Sequence, residues 1–465
     1  NGFGDRSTRV SSSRQWERAT VSSLIRLLYN YKGKYMVNGS FRRDYSSAWR
    51  QDYGNQGQNF WSLGAAWELT KETFMQNQSI FDNLKLKGSM GVLGVQNTYG
   101  YDYPAYPTLS TSGSAVFGDL IVPVYVQNYL DDKNLHWETV HSKEIGIEFD
   151  MLKRKLHGEL VYYNKETRDL LAQISAGGGR ETLTNIGKMR NKGFELSASY
   201  STQINKDLSL SVSGNMTTFN NMFLESPFKS LPDEQFPSLT LAGNPIGFFY
   251  GYKVAGIFQS YADKLAYPIM NLGSNYGPGD LKYEDLNGDG VITSDDRTMI
   301  GNPTPDFIYG GNVTLRYKGF DLGIDMQGSY GNEIYRYWGS TELPYTKYNY
   351  PAFKLNRWHG AGTSNWDPIL ADNHTTNRLP SNYGIEDGSY FRIRNLQIGY
   401  DISTAILQKA KIKSARVYLN FQNLKTWKHN SGYSPEFGGS PTSFGNDVGN
   451  DPIPSVISGG ININF

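Results

Sequence analysis

The sequence predicts an all-β fold, and more specifically a transmembrane antiparallel β-barrel. Aromatic residues make up 14% of the 465 residues, with 33 tyrosines, and glycine contributes 50, yet the mean hydropathy is −0.52. No apolar run approaches the ~18 residues of a membrane helix. Apolar and polar residues instead alternate along most of the chain. This combination is typical of strands with one lipid-facing and one wet side, flanked by aromatic girdles.

Composition and motifs exclude several functions. The 45 basic and 44 acidic residues are well mixed and give a net charge of +1, without the basic stripe that nucleic-acid binding requires. Cysteine is absent, which excludes disulfides and thiolate metal sites. The six histidines show no H-E-x-x-H spacing, and Gly177–Gly179 is not followed by the Lys-Ser/Thr of a phosphate loop. We therefore expect no catalytic residues and no enzymatic activity.

Period-two alternation defines the individual strands. Val313–Tyr317 and Phe320–Met326 alternate on either side of Lys318-Gly319, which predicts a hairpin, and Phe194–Tyr200 shows the same pattern. The segments run about 9–12 residues, as expected for tilted membrane strands and longer than the ~5–6 of soluble sheets. About fourteen or fifteen such strands are predicted. The best helix candidate is a short stretch near Thr404–Ile412.

Connection lengths and the last strand support a membrane barrel. Lys318-Gly319 is a very short turn, whereas Gln259–Asp306 and Gly331–Gly388 are long loops, a pattern of short periplasmic turns and long extracellular loops. The alternating segment Ile457–Phe465 ends in an aromatic residue, the kind of signal that outer-membrane insertion machinery recognises. Because an open sheet would leave unpaired edges in lipid, we expect further N-terminal strands outside these residues.

Several longer motifs resemble one family in the right order. They are Leu135–Thr139, Tyr162–Leu171, Asn185–Glu195, Asn356–Trp358, Glu386–Asn395 and Gln422–Leu424. On these motifs the chain resembles the SusC-like branch of TonB-dependent transporters of Bacteroidetes, the SusC/RagA family. The resemblance covers most of the chain.

The resemblance implies a fold, a location and partners. It implies a 22-stranded barrel in the outer membrane of a Gram-negative cell, in contact with membrane lipid and filled by a plug domain. Residues 1–465 would be the C-terminal part of that barrel, with the plug-bearing N-terminal portion and the first strands outside it. A SusD-like surface lipoprotein would form a lid, the TonB complex would supply energy through the N-terminal portion, and the substrate would be a glycan oligosaccharide or a peptide.

Two alternatives remain open from the residues alone. A passive porin-like barrel would need no plug, and only the family resemblance distinguishes active import from it. A soluble, calcium-stabilised β protein that binds glycans at the cell surface would also show alternating strands. Strand length, unequal loops and the terminal Phe465 argue against the soluble protein.

A calcium site is predicted at Asp285–Asp296. Side-chain oxygens fall at positions 1, 3, 5 and 12 of a loop with glycine at position 6, and position 7 donates its backbone carbonyl, which is the spacing of an EF-hand-type calcium loop. The predicted ligands are Asp285, Asn287, Asp289, Val291 and Asp296. Asp296 replaces the usual glutamate, so binding should be weaker. A solvated turn rich in Asx residues is the alternative, and bound calcium would brace a long loop.

A second candidate site is a loop dense in aromatic residues. Its rings are candidates for contact with a substrate or a lid, while packing within the loop is the alternative. The main candidates are Tyr335, Tyr337, Trp338, Trp358 and Trp366, beside Tyr345, Tyr348 and Tyr350. Alternation also places charges on the inner face, where they would be solvated or would meet the plug. These are Arg316, Asp321, Asp325, Arg392 and Arg394.

Overall fold

The computed structural model describes most of the chain. The described residues are 15–49, 54, 56–96, 98, 100, 103–177, 180–225, 237–273, 275–338, 350–371, 374–403, 407 and 412–465. The predicted helix at Thr404–Ile412 lies largely outside them, as do Tyr345, Tyr348, Gly178 and Gly179. No helix within these ranges is both long and apolar enough to cross a membrane.

One large antiparallel sheet dominates the fold. It contains fourteen strands. Thirteen of them follow one another in chain order, and the short strand Asn220–Glu225 pairs with the seventh of these. The thirteen are β1 (Thr20–Tyr31), β2 (Tyr35–Ser46), β3 (Gly57–Glu68), β4 (Phe81–Val95), β5 (Glu138–Met151), β6 (Leu156–Arg168), β7 (Lys188–Gln203), β8 (Leu208–Thr218), β9 (Phe307–Tyr317), β10 (Phe320–Tyr330), β11 (Tyr390–Asp401), β12 (Ser414–Lys428) and β13 (Val456–Asn464). The predicted fold class is confirmed.

Strand length and connections follow the sequence pattern. The thirteen strands run from 9 to 16 residues. Lys318 and Gly319 join β9 to β10 with φ of 47° and 88°, a two-residue turn whose twist suits a hairpin. Short connections, such as residues 32–34 and 204–207, all lie at one end of the sheet, called here the short-turn end. The described residues within 96–137, 219–306, 331–389 and 429–455 lie at the long-loop end.

The register gives the sheet two different faces. Val313 pairs with Ile324, which pairs with Leu396, so apolar side chains line up across three strands on the outer face. Three residues further along, Arg316 pairs with Asp321 on the inner face. Because side chains alternate between faces with a period of two, this arrangement persists along each strand. The outer face is apolar and the inner face is polar.

Aromatic rings mark both ends of the outer face. At the short-turn end they include Tyr31–Tyr35, Tyr35–Trp67 and Phe320–Tyr400, with ring centroids 6.4, 6.4 and 4.4 Å apart. At the long-loop end they include Tyr162–Phe194, Tyr309–Phe391 and Phe391–Trp427, at 5.2, 6.3 and 5.5 Å. Phe391 and Tyr400 are about 30 Å apart along their strand. At a tilt of ~40° this is a height of about 23 Å, close to the ~25 Å apolar band of outer-membrane barrels.

The long loops contain short elements of their own. The strands are Leu109–Phe117, Leu120–Gln127, Leu171–Gly177, Arg180–Asn185, Ser238–Leu239, Phe248–Gly251, Val254–Ile257, Ile269–Met270, Leu281–Tyr283, Val291–Ile292, Thr298–Gly301, Glu333–Arg336, Ile385–Asp387 and Asn446–Asp447. An α-helix spans Tyr261–Leu265, and 3₁₀ turns span Leu69–Lys71, Thr73–Met75, Ser294–Asp296, Ala352–Asn356, Thr375–Arg378 and Asn382–Gly384. Leu69–Lys71 and Thr73–Met75 belong to the short-turn end.

The loops between β8 and β11 pack into a lobe with an apolar core. Tyr252, Phe258, Leu281, Tyr283 and Ile292 are all at most 2% exposed within it. Residues from both sequence segments, 237–306 and 350–389, contribute to this cluster, hereafter the loop lobe. A core of this kind gives the long loops a fixed structure at the long-loop end of the sheet.

Candidate functional site

The inner face of the sheet borders a polar cavity. The cavity has a volume of about 1500 Å³ and is lined mainly by β9–β13. Its lining includes Asn312, Asp325, Gln327, Arg394, Asn395 and Gln397. A second cavity towards the short turns is bordered by Arg316 and Asp321. The five inner-face charges predicted from alternation therefore all line these two cavities.

Charges of both signs on this face are partly paired. Arg416 Nη2 lies 2.6 Å from Asp321 Oδ2, and Asn312 Nδ2 donates to Asp325 Oδ1 at 2.6 Å. Arg394 donates only a long 3.5 Å hydrogen bond to Gln327 and forms no ion pair with a described residue. Such a surface of amides and mixed charges holds water and hydrogen-bonds polar solutes without strongly favouring anions or cations.

Glu436 fastens the last long loop to the inner wall. Its carboxylate accepts from Arg392 Nη1, Tyr390 Oη and Gln327 Nε2, each at 2.7 Å. Arg392 is only 3% exposed, and its Nε also donates to Thr426 at 2.8 Å. Because charge-assisted hydrogen bonds to a carboxylate are strong, these contacts hold the loop 429–455 against the opening of the cavity.

The predicted calcium loop folds as a turn closed by its own acidic side chains. Asp285 Oδ1 and Oδ2 accept from the backbone N–H of Gly288 and Gly290, both at 2.8 Å. Gly290, at position 6, has φ of +82°, the sharp left-handed turn that such a loop requires. Asp289 Oδ1 accepts from Val291 N at 2.8 Å, and the amide of Asn287 contacts Asp289 Oδ2 at 3.1 Å.

Asp296 closes this loop from inside the lobe. It is fully buried, and its two oxygens accept from Leu286 N at 2.9 Å and Thr293 N at 2.8 Å. Within the described ranges, no Lys or Arg forms an ion pair with it. Over the same ranges, no three His, Cys, Asp or Glu side chains are grouped to hold a metal ion. Calcium binding at the five predicted ligands therefore stays a prediction.

The predicted aromatic site is not one surface. Tyr335 is 2% exposed and packs with Phe249 and Ile300, and Tyr337 packs against the same cluster. Trp358 packs on the loop-lobe core and donates from Nε1 to Gln259 Oε1 at 3.1 Å. The ring of Trp338 is 6.2 Å from that of Phe353.

Trp366 is the exposed member of the predicted set. It is 46% exposed and its ring lies 5.8 Å from that of Tyr383. Packing within the loops therefore accounts for Tyr335 and Trp358. The density of aromatic residues in the sequence does not separate such packed rings from rings at the surface. Contact with a substrate or lid stays a prediction, and Trp366 has the most accessible ring for it.

One buried polar cluster was not predicted. Asp280 is fully buried in the loop lobe and accepts from Gly277 N at 2.7 Å, Asn377 Nδ2 at 2.7 Å and His374 Nδ1 at 2.8–2.9 Å. Burial raises the pKa of Asp280 above its usual value, and these hydrogen bonds partly oppose the rise. The cluster joins two loops that are almost a hundred residues apart in sequence, so a single sequence gives no signal for it.

Comparison with known proteins shows which protein family the large sheet resembles. Residues 1–424 match the family model for the TonB dependent receptor-like β-barrel. The chain is 31% identical to TonB-dependent receptor P3 of Formosa agariphila over 480 residues, covering 98% of this chain and 47% of that protein. It is 25% identical to TonB-dependent receptor SusC of Bacteroides thetaiotaomicron over 441 residues, covering 93% and 43%.

A solved structure shares the fold. The structure of the RagAB peptide transporter superposes with a TM-score of 0.79 at 21% identity, covering 96% of this chain and 48% of that chain. The chain spans about half the length of the curated relatives it matches. These matches confirm the resemblance to SusC-like proteins that the sequence motifs indicate. The chain belongs to the TonB-dependent receptor-like β-barrel family.

Proposed function

We propose that this chain forms part of the wall of an outer-membrane transporter that imports a nutrient oligomer, a glycan oligosaccharide or a peptide. The observation that carries the proposal is the contrast between the two faces of the sheet. The outer face is an apolar band between aromatic rings, whereas the inner face borders a cavity of about 1500 Å³ lined by amides and charges of both signs. A polar oligomer crossing an apolar membrane needs such a hydrated path.

Active import requires partners beyond this chain. A plug-bearing N-terminal portion would close the passage, a SusD-like lipoprotein would cover the long-loop end, and the TonB complex would supply energy. Membership of the TonB-dependent receptor family supports the energy source, and the greater length of the relatives leaves room for a plug. The lid and long loops would capture the oligomer, and displacement of the plug would open the lumen.

Uptake by intact cells tests this function. We expect a fluorescent mixed peptide digest or a mixed oligosaccharide preparation to enter cells that carry the transporter and to fall to background in an in-frame deletion. A protonophore should also abolish entry, because TonB coupling depends on the inner-membrane proton gradient. Uptake that persists in the protonophore would replace active import by a passive pore. Entry of only one of the two probes would identify the substrate class.

Calcium binding to the loop Asp285–Asp296 forms a second part of the proposal. The left-handed Gly290 and the alternating oxygens of Asp285, Asn287 and Asp289 suit a hard cation, with the Val291 carbonyl and Asp296 completing the set. Their hydrogen bonds to backbone N–H groups leave further lone pairs on each carboxylate. Bound calcium would stabilise the loop lobe rather than take part in transport chemistry.

Chelation tests the calcium proposal. With EGTA, we expect amide hydrogen exchange of residues 285–296 in the intact transporter to rise at least about tenfold, because coordination energy no longer opposes local opening. Asp289→Ala, which removes the oxygen ligand, should reproduce the effect in calcium, and the barrel strands should remain protected. Asp295→Ala removes the same charge from a position that is not a predicted ligand. Equal behaviour of the two variants, or no response to EGTA, would exclude a calcium site.

A further inference from the structure

Basic side chains cover the outer wall of β5–β7 just beyond the aromatic rings of the long-loop end. The cross-strand rows establish their position. Ile145, Tyr162 and Phe194 form the last row of the apolar band. The next rows towards the long loops are Lys143–Asn164–Lys192, His141–Glu166–Arg190 and Thr139–Arg168–Lys188. The basic wall patch is defined here as Lys143, Arg168, Lys188, Arg190 and Lys192.

The patch lies on the outside of the sheet. Phe194 is 50% exposed and Ile145 is 56% exposed, and the basic rows continue the same alternation on these strands. The opposite face of the same strands carries Lys165, whose Nζ lies 3.4 Å from Glu144 Oε1 on the lumen side. The basic wall patch therefore faces away from the cavity, and the transported solute does not meet it.

Positive charge in the patch is only partly neutralised. Glu166 Oε1 lies 2.6 Å from Arg168 Nε and 3.3 Å from Lys188 Nζ, and Glu225 lies 3.9 Å from Lys188. Within the described part of the chain, Lys143, Arg190 and Lys192 form no ion pair. A third carboxylate, that of Asp169, is close enough to interact electrostatically with His141, which lies in the middle row. Five cations therefore face three carboxylates.

Arg190 adds an unsatisfied donor to this positive charge. Its Nε is buried and has no hydrogen-bond acceptor among the described residues, and one terminal nitrogen contacts only the sulfur of Met222 at 3.7 Å. A buried N–H without an acceptor is costly. Because this nitrogen is buried, it does not reach a group outside the sheet, and Arg190 contributes to the outer wall through the positive charge of its partly exposed side chain.

The height of the patch matches the level of lipid headgroups. Lys192 is two residues beyond Phe194, which places its Cα about 5 Å above the ring row on a strand tilted by ~40°. Interfacial aromatic rings mark the edge of the hydrocarbon, so the next rows lie among headgroups. The patch is also local. Beyond Tyr309 on β9 the corresponding residue is Phe307, which stacks on Tyr330 at 5.1 Å.

We propose that the basic wall patch binds the phosphates of a lipid A-type glycolipid in the outer leaflet. Outward orientation, excess positive charge and headgroup height together define a site for a phosphorylated headgroup with acyl chains lying on the apolar band below. Lys143, Arg190 and Lys192 attract the phosphates through their positive charge. The inference rests on the membrane location proposed above but not on which solute is imported.

Native mass spectrometry of the intact detergent-purified transporter tests this site. Bisphosphorylated lipid A is expected to bind more tightly than its dephosphorylated form. The variant K143Q/R190Q/K192Q should bind the bisphosphorylated form at least about tenfold more weakly, since each basic residue near a charged headgroup contributes appreciably. The matched variant K32Q/K153Q/K206Q removes the same charge from the short-turn end and should bind like the wild type.

Two further measurements keep the proposal falsifiable if the triple variant assembles poorly. Binding to the wild type should weaken when salt is raised from about 0.05 to about 0.5 M, because screening shortens the range of the attraction. The charge-preserving variant K143R/R190K/K192R should retain binding. No preference for phosphates, no salt dependence, or full binding by K143Q/R190Q/K192Q would overturn the site. Solute uptake measured in parallel would show separately whether the transport function holds.

Discussion

Ile324→Arg is expected to destabilise the barrel by about 2–4 kcal/mol and to reduce its assembly severely. Ile324 lies in the middle of β10 on the outer face, in register with Val313 and Leu396. A guanidinium there faces hydrocarbon with neither water nor a counter-ion. We expect folding into lipid vesicles, followed by denaturant titration and heat-modifiable gel mobility, to show the loss.

Thr314→Arg is the matched control for this substitution. Thr314 lies next to Val313 but on the inner face, where it borders two cavities and pairs with Gly323. Open space around Gly323 leaves room for the longer side chain. The control should cost less than about 1 kcal/mol, because the new charge remains hydrated. Equal losses at the two positions would contradict the assignment of the faces.

Asp280→Ala is expected to open the loop lobe, with a cost of about 3 kcal/mol. The substitution removes the acceptor of Gly277 N and Asn377 Nδ2 and leaves both donors in a buried site. It also removes the partner of His374. Amide hydrogen exchange of the intact transporter should show loss of protection in the loop lobe, while β9–β13 remain protected.

Asp263→Ala provides the comparison within the same lobe. Asp263 forms an ion pair with Lys282 at 3.2 Å and accepts from Gln259 N at 2.9 Å, but the side chains of Asp263 and Lys282 are partly exposed, at 29% and 19%. An ion pair in contact with solvent contributes less than about 1 kcal/mol, so exchange in the lobe should change little. Loss of protection in Asp263→Ala as large as in Asp280→Ala would show that burial of the carboxylate is not what stabilises the lobe.

The sheet was predictable from sequence because each strand carries its own pattern. Alternation in Val313–Tyr317 and Phe320–Met326, with Lys318-Gly319 between them, sets the hairpin register without help from distant residues. The long loops at Gln259–Asp306 and Gly331–Gly388 were also located, since they interrupt this alternation. The strands, the hairpin and the positions of the long loops were therefore predictable, because each depends on residues close together in the sequence.

Sites that depend on distant partners were not predictable in this way. Nothing in the sequence distinguishes Tyr335 and Trp358 from Trp366. Only the packing of distant loop residues shows that Tyr335 and Trp358 lie against apolar clusters. Arg392 was expected on the inner face, but its partner Glu436 lies in a loop without periodicity. The basic wall patch did leave a signal, because Lys188, Arg190 and Lys192 recur with the strand period on one face.

Cysteine accessibility along β10 tests the two-faced membrane strand most directly. The chain contains no cysteine, so each introduced thiol reports on one position. In intact outer membranes, cysteines at Leu322, Ile324 and Met326 should react with a lipid-soluble maleimide and resist a water-soluble one. Cysteines at Gly323, Asp325 and Gln327 should show the reverse preference. A pattern without this alternation would contradict the account of a barrel wall between lipid and a polar lumen.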